Sequence, residues 1–556
     1  MADLTTVQTT QTNPSVRFTR QQHINLYSLL VIGFITLSSA AYGYAGSVIA
    51  TTLTQPSFTK HMKLDEIPNA EALIGAMNAL YYAGGVFGSF FAGWSSNKYG
   101  RKFSAALGNF LVLLSGALLT ASVNPGMFIA FRFLSGFGSF IILASVPLWV
   151  AELAPPSIRG ILTDVHAVGM MVGYTIACYV GLGFYFVSGT NQWRGPIALQ
   201  MAFPTVILCG LYWMPESPRF LLSKGRTDQA WKIIHRMHSN VNDPTDEFAK
   251  REFYQMRKQI ELDVTFETSY LGIFKQPSLR KRALMTIFLE FCLMSSGVLV
   301  ILNYGSIIWK NLGFNTVQIL NFQGGFQLTG FVFNIVAMLF VDKIKRPTLI
   351  ATGFIACAAC MSIEAALQRY YIGTVDRGGL IACAFFIFLF QATFSMFLDG
   401  PTYFYIAEIW PSHVRSQGFA LAMATLSVTN LMWLQAAPHA FTAIAWKFYL
   451  FFICIPVLGA VVVFFTFKDT LHKPLEEIAA MFGDEDTVVV YQRELQLASI
   501  PLDLLDEAIT EKVENGGEIE EVEDVPKSEQ SKTDAAPKTE ASKSWAELSH
   551  NQLYAG

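Results

Sequence analysis

The feature that most constrains this chain is a series of long apolar runs, each long enough to cross a lipid bilayer. The hydrocarbon core of a bilayer requires roughly 20 apolar residues per helix. A spanning segment must also satisfy its own backbone hydrogen bonds, so helices are expected. Only 15% of the residues are charged, against roughly 25% in an average soluble protein. About twelve runs are present, at 27–52, 71–95, 103–122, 126–150, 161–186, 197–214, 281–308, 319–341, 348–369, 379–407, 416–438 and 446–467. The sequence therefore predicts an all-α membrane protein with about twelve transmembrane helices.

The runs form two sets of six, separated by a charged stretch that is too polar to span. Because loops rich in Lys and Arg stay on the cytoplasmic side, "KYGRK" (98–102), the segment 219–282 and both termini are predicted to be cytoplasmic. The tail after about residue 485 is acidic and is expected to be disordered, since it cannot bury a core. The predicted divisions are an N-terminal tail, a six-helix bundle, a middle loop with short helices, a second six-helix bundle and an acidic tail, at 1–25, 26–214, 215–280, 281–468 and 469–556.

Composition and spacing argue against several other classes of protein. The net charge of -3 implies no polyanionic partner such as a nucleic acid. The nine histidines show no metal-ligand spacing, and the CxxC of Cys357 and Cys360 lies in an apolar run without a second pair. We interpret these cysteines as packed thiols. No nucleophile–base set or nucleotide loop is visible, so the sequence predicts neither an enzyme nor a bound metal or cofactor.

An internal repeat links the two sets of runs. "ELAPPSIRG" contains Glu152 and Arg159, and "EIWPSHVRSQG" contains Glu408 and Arg415, each in the pattern E-x-x-P-x-x-x-R. A second, weaker repeat relates "GWSSNKYGRK" to "VDKIKRP" (341–347). Repeats of this kind are typical of two helical halves packed around a central axis.

These motifs resemble the sugar porter family of the major facilitator superfamily, particularly its fungal members. "PESPRFLL" (215–222) directly follows the sixth run, "RFLSGFG" lies in the fourth, and "KDTLHKPLEEI" resembles the ending of the family's last span. The resemblance covers about residues 25–480. It implies twelve helices in two pseudo-symmetric six-helix bundles and transport of a small solute, although a fold alone does not fix the substrate.

Charged residues at the helix ends are candidates for a cytoplasmic gating network. Ion pairs among them would hold the two halves together on one side of the membrane and release them in the other state. The alternative interpretation is that they only set the topology of the chain. The candidate network comprises Arg101, Glu152, Arg159, Glu216, Arg219, Asp342, Arg346, Glu408 and Arg415.

The sequence departs from the family at positions that matter for coupling and recognition. Ala45 stands where proton-coupled members carry an aspartate in the first span, while its usual partner in the fourth span is retained as Arg132. Ala167, beside His166, replaces the glutamine of the fifth span. Leu293, Met294 and Leu299 replace the amides of the seventh span, before Asn303 and Tyr304. We therefore expect a solute path that is more apolar than a hexose site.

Other polar residues inside the runs could compensate for these losses. Ionisable residues at such depth are costly and are functional candidates, so Glu290 and Asp399 are candidates for proton coupling or solute binding. The alternatives are pairing with a neighbouring helix for Glu290, and capping at a helix break for Asp399. Asn430 and Trp433, with Tyr304, are candidates for the cavity wall, although aromatic residues in spans often only pack.

The predicted function is that of a secondary transporter working by alternating access in the cell membrane. Its partners would be the lipid bilayer and a small organic solute, with a sugar or polyol implied by the resemblance. Two alternatives stay open: a carrier or exporter of a less polar metabolite, and a nutrient sensor that transports little. Whether transport is facilitative or coupled to protons also stays open.

Overall fold

A computed structural model describes residues 25–67, 70–154, 159–238, 246–263, 266, 269–339, 341–371, 376–471, 478 and 481–483. The predicted N-terminal tail (1–25) lies outside this part except for its last residue, and the tail predicted to be disordered after about residue 485 lies wholly outside it. The structure places helices on the apolar runs. The first half holds α1 Leu26–Thr52, α2 Pro56–His61, α3 Ala70–Lys98, α4 Arg101–Thr120, α5 Pro125–Leu153, α6 Arg159–Tyr185, α7 Asn191–Leu199 and α8 Ala202–Gly210.

The rest of the described chain is also helical. Short helices occupy the charged stretch, and longer ones return to the apolar runs. They are α9 Pro218–Ser223, α10 Thr227–His238, α11 Glu247–Asp263, α12 Tyr270–Lys275, α13 Pro277–Met294, α14 Val298–Asn311, α15 Thr316–Met338, α16 Arg346–Tyr371, α17 Arg377–Phe394, α18 Gly400–Ile409, α19 Arg415–Ala443 and α20 Tyr449–Thr466.

Within the described residues, ten helical stretches are long and apolar enough to cross a membrane. Two further helices, α3 and α15, have comparable length but are less apolar, since α3 is rich in glycine and serine and α15 carries several amide side chains. Both pack among the others: α3 against α5 and α19, and α15 against α6 and α17. The predicted all-α membrane fold is confirmed, and each of the two less apolar helices packs against a helix of the other half.

The two halves meet along two pairs of helices. The pair α3–α19 and the pair α6–α15 form the largest contacts between the first and second halves, and α1 also contacts α14. Glycines allow close approach inside the first half. A Cβ at Gly84 or Gly88 of α3 would overlap the carbonyl groups of Phe133 and Phe137 on α5, as expected where small residues bring helix backbones together.

Two of the predicted spans are broken near the middle. The seventh divides into α13 and α14 at Gly297, whose φ of 89° favours glycine. The tenth passes from α17 through a π-helical turn, Ser395–Asp399, into α18, which has Pro401 in its first turn. Discontinuous spans of transporters and π-helical turns both recur at functional sites. The breaks therefore direct attention to the region around Asp399.

Candidate functional site

A cavity lies between the two halves, and both halves contribute to its wall. Tyr42 of α1 and Tyr174 of α6 line it together with Gln327 of α15, Gln391 of α17 and Asp399. The space enclosed by this lining is about 510 Å³, which includes open solvent. Most of the remaining wall is formed by Met, Leu and Phe side chains. This central cavity has the mixed apolar and polar lining that is typical of a small-molecule site.

A second opening, here called the crevice, shares one lining residue, Tyr403, with the central cavity. Its space is about 650 Å³, again including open solvent, and its wall is almost entirely apolar. Ala151, His166 and Ala167 line it from the first half, and Tyr403 and Arg415 line it from the second. The crevice leads towards the helix ends that carry Arg101, Glu152, Arg346 and Glu408, hereafter the motif face, which the sequence predicts to be cytoplasmic.

Asp399 lies in the wall of the central cavity, and Glu290 lies behind it. Asn334 Nδ2 donates a hydrogen bond to Asp399 Oδ2 at 2.8 Å. Glu290 is fully buried, and neither of its carboxyl oxygens has a hydrogen-bond partner in the described structure. The two acids are close enough for their charges to repel each other. The two acids that the sequence predicted as candidates for coupling or binding are thus close together, although only Asp399 faces the cavity.

Arg132 is buried and is held by backbone groups. Its Nη1 donates to the Ala45 carbonyl oxygen at 3.0 Å and its Nε to that of Met77 at 3.2 Å. Its guanidinium lies 4.5 Å from the ring centroid of Tyr81, within the range of a cation–π interaction. Ala45 is absent from the lining of both openings. In the described structure, therefore, α1 offers this arginine a carbonyl group where the family resemblance implies a carboxylate.

The other candidates for the solute path lie outside the lining of the two openings. Asn303 and Asn430 donate to carbonyl oxygens one helical turn earlier, at 2.8 and 2.9 Å. The Tyr304 hydroxyl donates to the Leu434 carbonyl oxygen at 2.8 Å. Trp433 Nε1 donates to Ser295 Oγ at 3.0 Å, and its ring packs on aromatic residues of α20 and the turn before it. In this conformation Tyr304 and Trp433 therefore connect helices, whereas Asn303 and Asn430 bond within their own helices.

On the motif face, the first half has a compact charged cluster. Arg101 Nη2 lies 2.7 Å from Glu152 Oε1, and the Ser217 hydroxyl donates to the other oxygen of Glu152. Glu216 accepts the backbone N–H groups of Arg101 and Lys102 at the start of α4, where a carboxylate stabilises the helix dipole. Burial raises the pKa of Glu216, while these hydrogen bonds oppose the shift.

The second half repeats this arrangement. Arg346 Nη2 lies 3.3 Å from Glu408 Oε1, and the Thr470 hydroxyl donates to the other oxygen of Glu408 at 2.7 Å. Each of the two ion pairs therefore lies within its own half, although pairing between the halves was also expected. A polar contact that does cross is the hydrogen bond from Asn97 Nδ2 to Ser416 Oγ at 2.9 Å. The side chains of Arg159 and Asp342 lie outside the described structure, so their gating roles stay predictions.

Asp263, at the end of α11, is a site residue that the sequence did not reveal. Its carboxylate interacts electrostatically with Arg219, which follows the first six spans, and with Arg415 at the start of α19. It is thus near arginines of both halves. Burial nevertheless raises its pKa to about 6, because desolvation outweighs the attraction of the two arginines. Nothing in the local sequence distinguishes it from the other acids of this polar stretch.

Replacing Asp263 with asparagine is expected to change the pH dependence of stability. A carboxyl group whose folded-state pKa is raised binds its proton more tightly in the folded protein, so it favours unfolding once it is charged. At about pH 7.5, Asp263→Asn should raise the melting temperature in detergent by a few degrees; at about pH 4.5 the gain should be largely lost. The exposed Asp65 provides the control as Asp65→Asn. A pH-independent difference for Asp263→Asn would contradict this assignment.

The sequence also did not identify most of the cavity wall. Tyr42 lines the cavity although the family comparison pointed to Ala45, one turn later on the same helix. Gln327 and Gln391 did carry a detectable signal, since each is an uncharged amide in the middle of a predicted span. Tyr174 and Tyr403 carried none, because aromatic residues are common in membrane helices that only pack.

Comparison with known proteins places this arrangement in a family. Residues 31–482 match the family model described as "Sugar (and other) transporter". The MFS-type transporter criB of Aspergillus cristatus is 28% identical over 81% of this chain and 92% of its own length. A quinate permease of Neurospora africana is 28% identical over 81% of this chain and 87% of its own. A high-affinity glucose transporter of Kluyveromyces lactis is 26% identical, over 83% and 86%.

Solved structures agree on the fold. A structure of XylE, described as a proton:xylose symporter of the major facilitator superfamily bound to 6-bromo-6-deoxy-D-glucose, matches with a TM-score of 0.71. The sequence identity is 22%, over 82% of this chain and 99% of that one, which shows a common fold. The family match spans both helical halves and the cavity between them. The chain therefore belongs to the sugar (and other) transporter family and is a multi-pass membrane transporter of small solutes, not an enzyme.

Proposed function

We propose that this transporter moves one small organic solute at a time through the central cavity by alternating access. The observation that carries the proposal is the wall of the cavity, which both halves build and which shares Tyr403 with the crevice. Rocking of the halves around such a site would expose it to each face in turn. We place the motif face and both termini in the cytoplasm, and the protein in the plasma membrane.

The lining favours a solute that is less polar than a hexose. Family relatives include a glucose transporter and quinate permeases, so sugars, polyols and quinate are reasonable first candidates. However, the polar side chains of the central cavity are two glutamines, one carboxylate and three tyrosines, among mostly Met, Leu and Phe side chains. Each sugar hydroxyl that is buried without a partner would cost about 1–3 kcal/mol. A metabolite with a largely apolar body is therefore the better-supported substrate class.

Uptake into liposomes containing the purified protein tests the carrier function. The panel should include D-glucose, D-xylose, glycerol, quinate and aromatic metabolites, each with and without a pH gradient. A carrier should show saturable uptake of at least one solute and faster exchange when that solute is present on both sides. Absence of saturable uptake across a broad panel, with correctly folded protein, would instead favour the sensor alternative.

Glu290 is the residue that we propose for proton coupling. It is fully buried, and its oxygens lack hydrogen-bond partners in the described structure. The titratable groups near it are Asp399 and the neutral phenol of Tyr403. Glu290→Gln cannot carry the proton. We expect this variant to lose accumulation driven by an inward proton gradient, by tenfold or more, while solute exchange at equal pH persists.

The same assay shows what would contradict the proton-coupling role. If solute accumulation by wild-type protein does not depend on the pH gradient, proton coupling is excluded. A Glu290→Gln variant that still accumulates solute in response to the gradient would exclude this residue. Glu66→Gln provides a control, because Glu66 is an exposed acid of the same type outside the spans.

A further inference from the structure

The central cavity is rich in groups that attract a positive charge. Asp399, three tyrosines and two glutamines lie among its apolar walls, and its described lining contains no Lys, Arg or His. Glu290 lies close behind Asp399 and adds a second acid to the same side. The ionisable side chains in and next to this lining are therefore acids without a basic counterpart in the lining. Binding of a neutral sugar would not require such an excess of acids.

Asp399 has an incomplete set of partners. Its side chain is buried, and the hydrogen bond from Asn334 is its one direct polar contact in the described structure. No Lys or Arg of the described chain forms an ion pair with it. The buried Arg132 is already engaged by the carbonyl groups of Ala45 and Met77 and by the ring of Tyr81. Because a carboxylate at membrane depth normally has a partner, the bound solute is a candidate for that partner.

Gln391 provides an independent indication of a ligand. Its side chain is 1% exposed and lines the same cavity, yet its Oε1 has no hydrogen-bond partner in the described structure. Its Nε2 donates to Ser395 Oγ at 3.4 Å, which orients the amide. An unpaired buried acceptor is unusual in folded proteins. A solute with an N–H or O–H donor would satisfy it.

The tyrosine side chains in the cavity wall could surround an ammonium group. The rings of Tyr42 and Tyr174 lie 6.3 Å apart, tilted by 60°, and Tyr403 joins them in the lining. Cations are attracted to the faces of such rings, and aromatic cages recognise alkylated ammonium groups in this way. Met171 and Met294 add flexible, polarisable surface for an apolar body.

We propose that the central cavity selects organic cations, namely amines or quaternary ammonium compounds with an apolar or aromatic body. The cationic group lies beside Asp399 among the tyrosines, and donors on the body reach Gln391. Organic anions are disfavoured because the Asp399 carboxylate repels them. This inference rests on the proposed carrier function, and it specifies the charge of the solute.

The test uses phenyltrimethylammonium, which is permanently charged and crosses bare bilayers slowly. Liposomes with the full-length protein should take up the radiolabelled cation with saturation. Unlabelled cation should compete at least tenfold more effectively than D-glucose or quinate. Asp399→Asn should lower uptake at least tenfold, Asp399→Glu should retain more of it, and Asp65→Asn at an exposed acid should leave it unchanged. Melting temperatures establish that each variant is folded.

The outcomes separate this inference from the function on which it rests. Saturable uptake of D-glucose or quinate without uptake of the cation would overturn the inference and leave the carrier function standing. Saturable cation uptake that Asp399→Asn does not change would overturn the role of Asp399. Absence of uptake for all three probes and for the broader solute panel would overturn both proposals.

Discussion

Replacing Gly136 with alanine is expected to destabilise the folded protein by about 3 kcal/mol, at the upper end of the usual cost of overpacking a core. Gly136 lies on α5 where this helix crosses α3, and an added Cβ would overlap the backbone carbonyl group of Tyr81. Backbone atoms inside a helix cannot rotate away as the end of a flexible side chain can. The two helices would have to separate, which would also disturb the nearby contact of Arg132 with Tyr81.

Melting temperature in detergent and the yield of monodisperse protein measure this effect. Gly33→Ala is a matched control on α1, because an added Cβ there meets nothing within 4 Å. Alanine is also the better helix former, so the control should be neutral or slightly stabilising. Equal stability of the two variants would mean that α3 and α5 are not packed as closely as described.

Filling the central cavity is expected to abolish most transport without unfolding the protein. Leu302 of α14 lines the cavity and is nearly buried. A tryptophan there would occupy space that the solute needs, since its side chain is much larger. We expect Leu302→Trp to lower solute exchange by at least tenfold, measured in liposomes with the solute that wild-type protein carries best.

Leu328→Trp separates loss of the path from a general effect of a large side chain. Leu328 follows Gln327 on α15, but its side chain is 42% exposed on the outside of the described protein, where lipid would surround it. It should retain near-normal exchange and stability. Full activity of a folded Leu302→Trp variant would exclude the central cavity from the path.

The overall architecture was predictable because membrane solvation acts on each segment separately. A run such as 126–150 must be helical wherever it packs, and α5 follows it closely. The charged helix ends were predictable for a similar reason, since the repeat around Glu152 and Glu408 is local. The partners of these acids were less predictable. Each acid pairs within its own half, Glu152 with Arg101 and Glu408 with Arg346.

The cavity wall could not be predicted in the same way because it depends on how distant helices are rotated and broken. Tyr42 and Ala45 lie one turn apart on α1, yet only Tyr42 is in the lining. Asp399 reaches the cavity from a π-helical turn that hydropathy does not reveal. Asp263 matters because the fold brings it near arginines of both halves, a long-range arrangement without a local signal.

The central claim is that the two halves rock around the cavity. Pulsed electron–electron double resonance, which measures the distance between two spin labels, tests it most directly. One pair of spin labels should replace Tyr99 and Ile344 on the motif face, and a second pair should replace Val123 and Tyr370 on the opposite face; all four residues are exposed. The exposed Cys209 and Cys454 should first be replaced by serine.

Removing the hydrogen bond between the halves with Asn97→Ala provides the perturbation, because this contact lies on the motif face. In lipid, we predict two distance populations for each pair of labels. The variant should shift the motif-face pair towards longer distances and the opposite-face pair towards shorter ones. A single unchanged distance for each pair, or shifts of the same sign on both faces, would contradict alternating access.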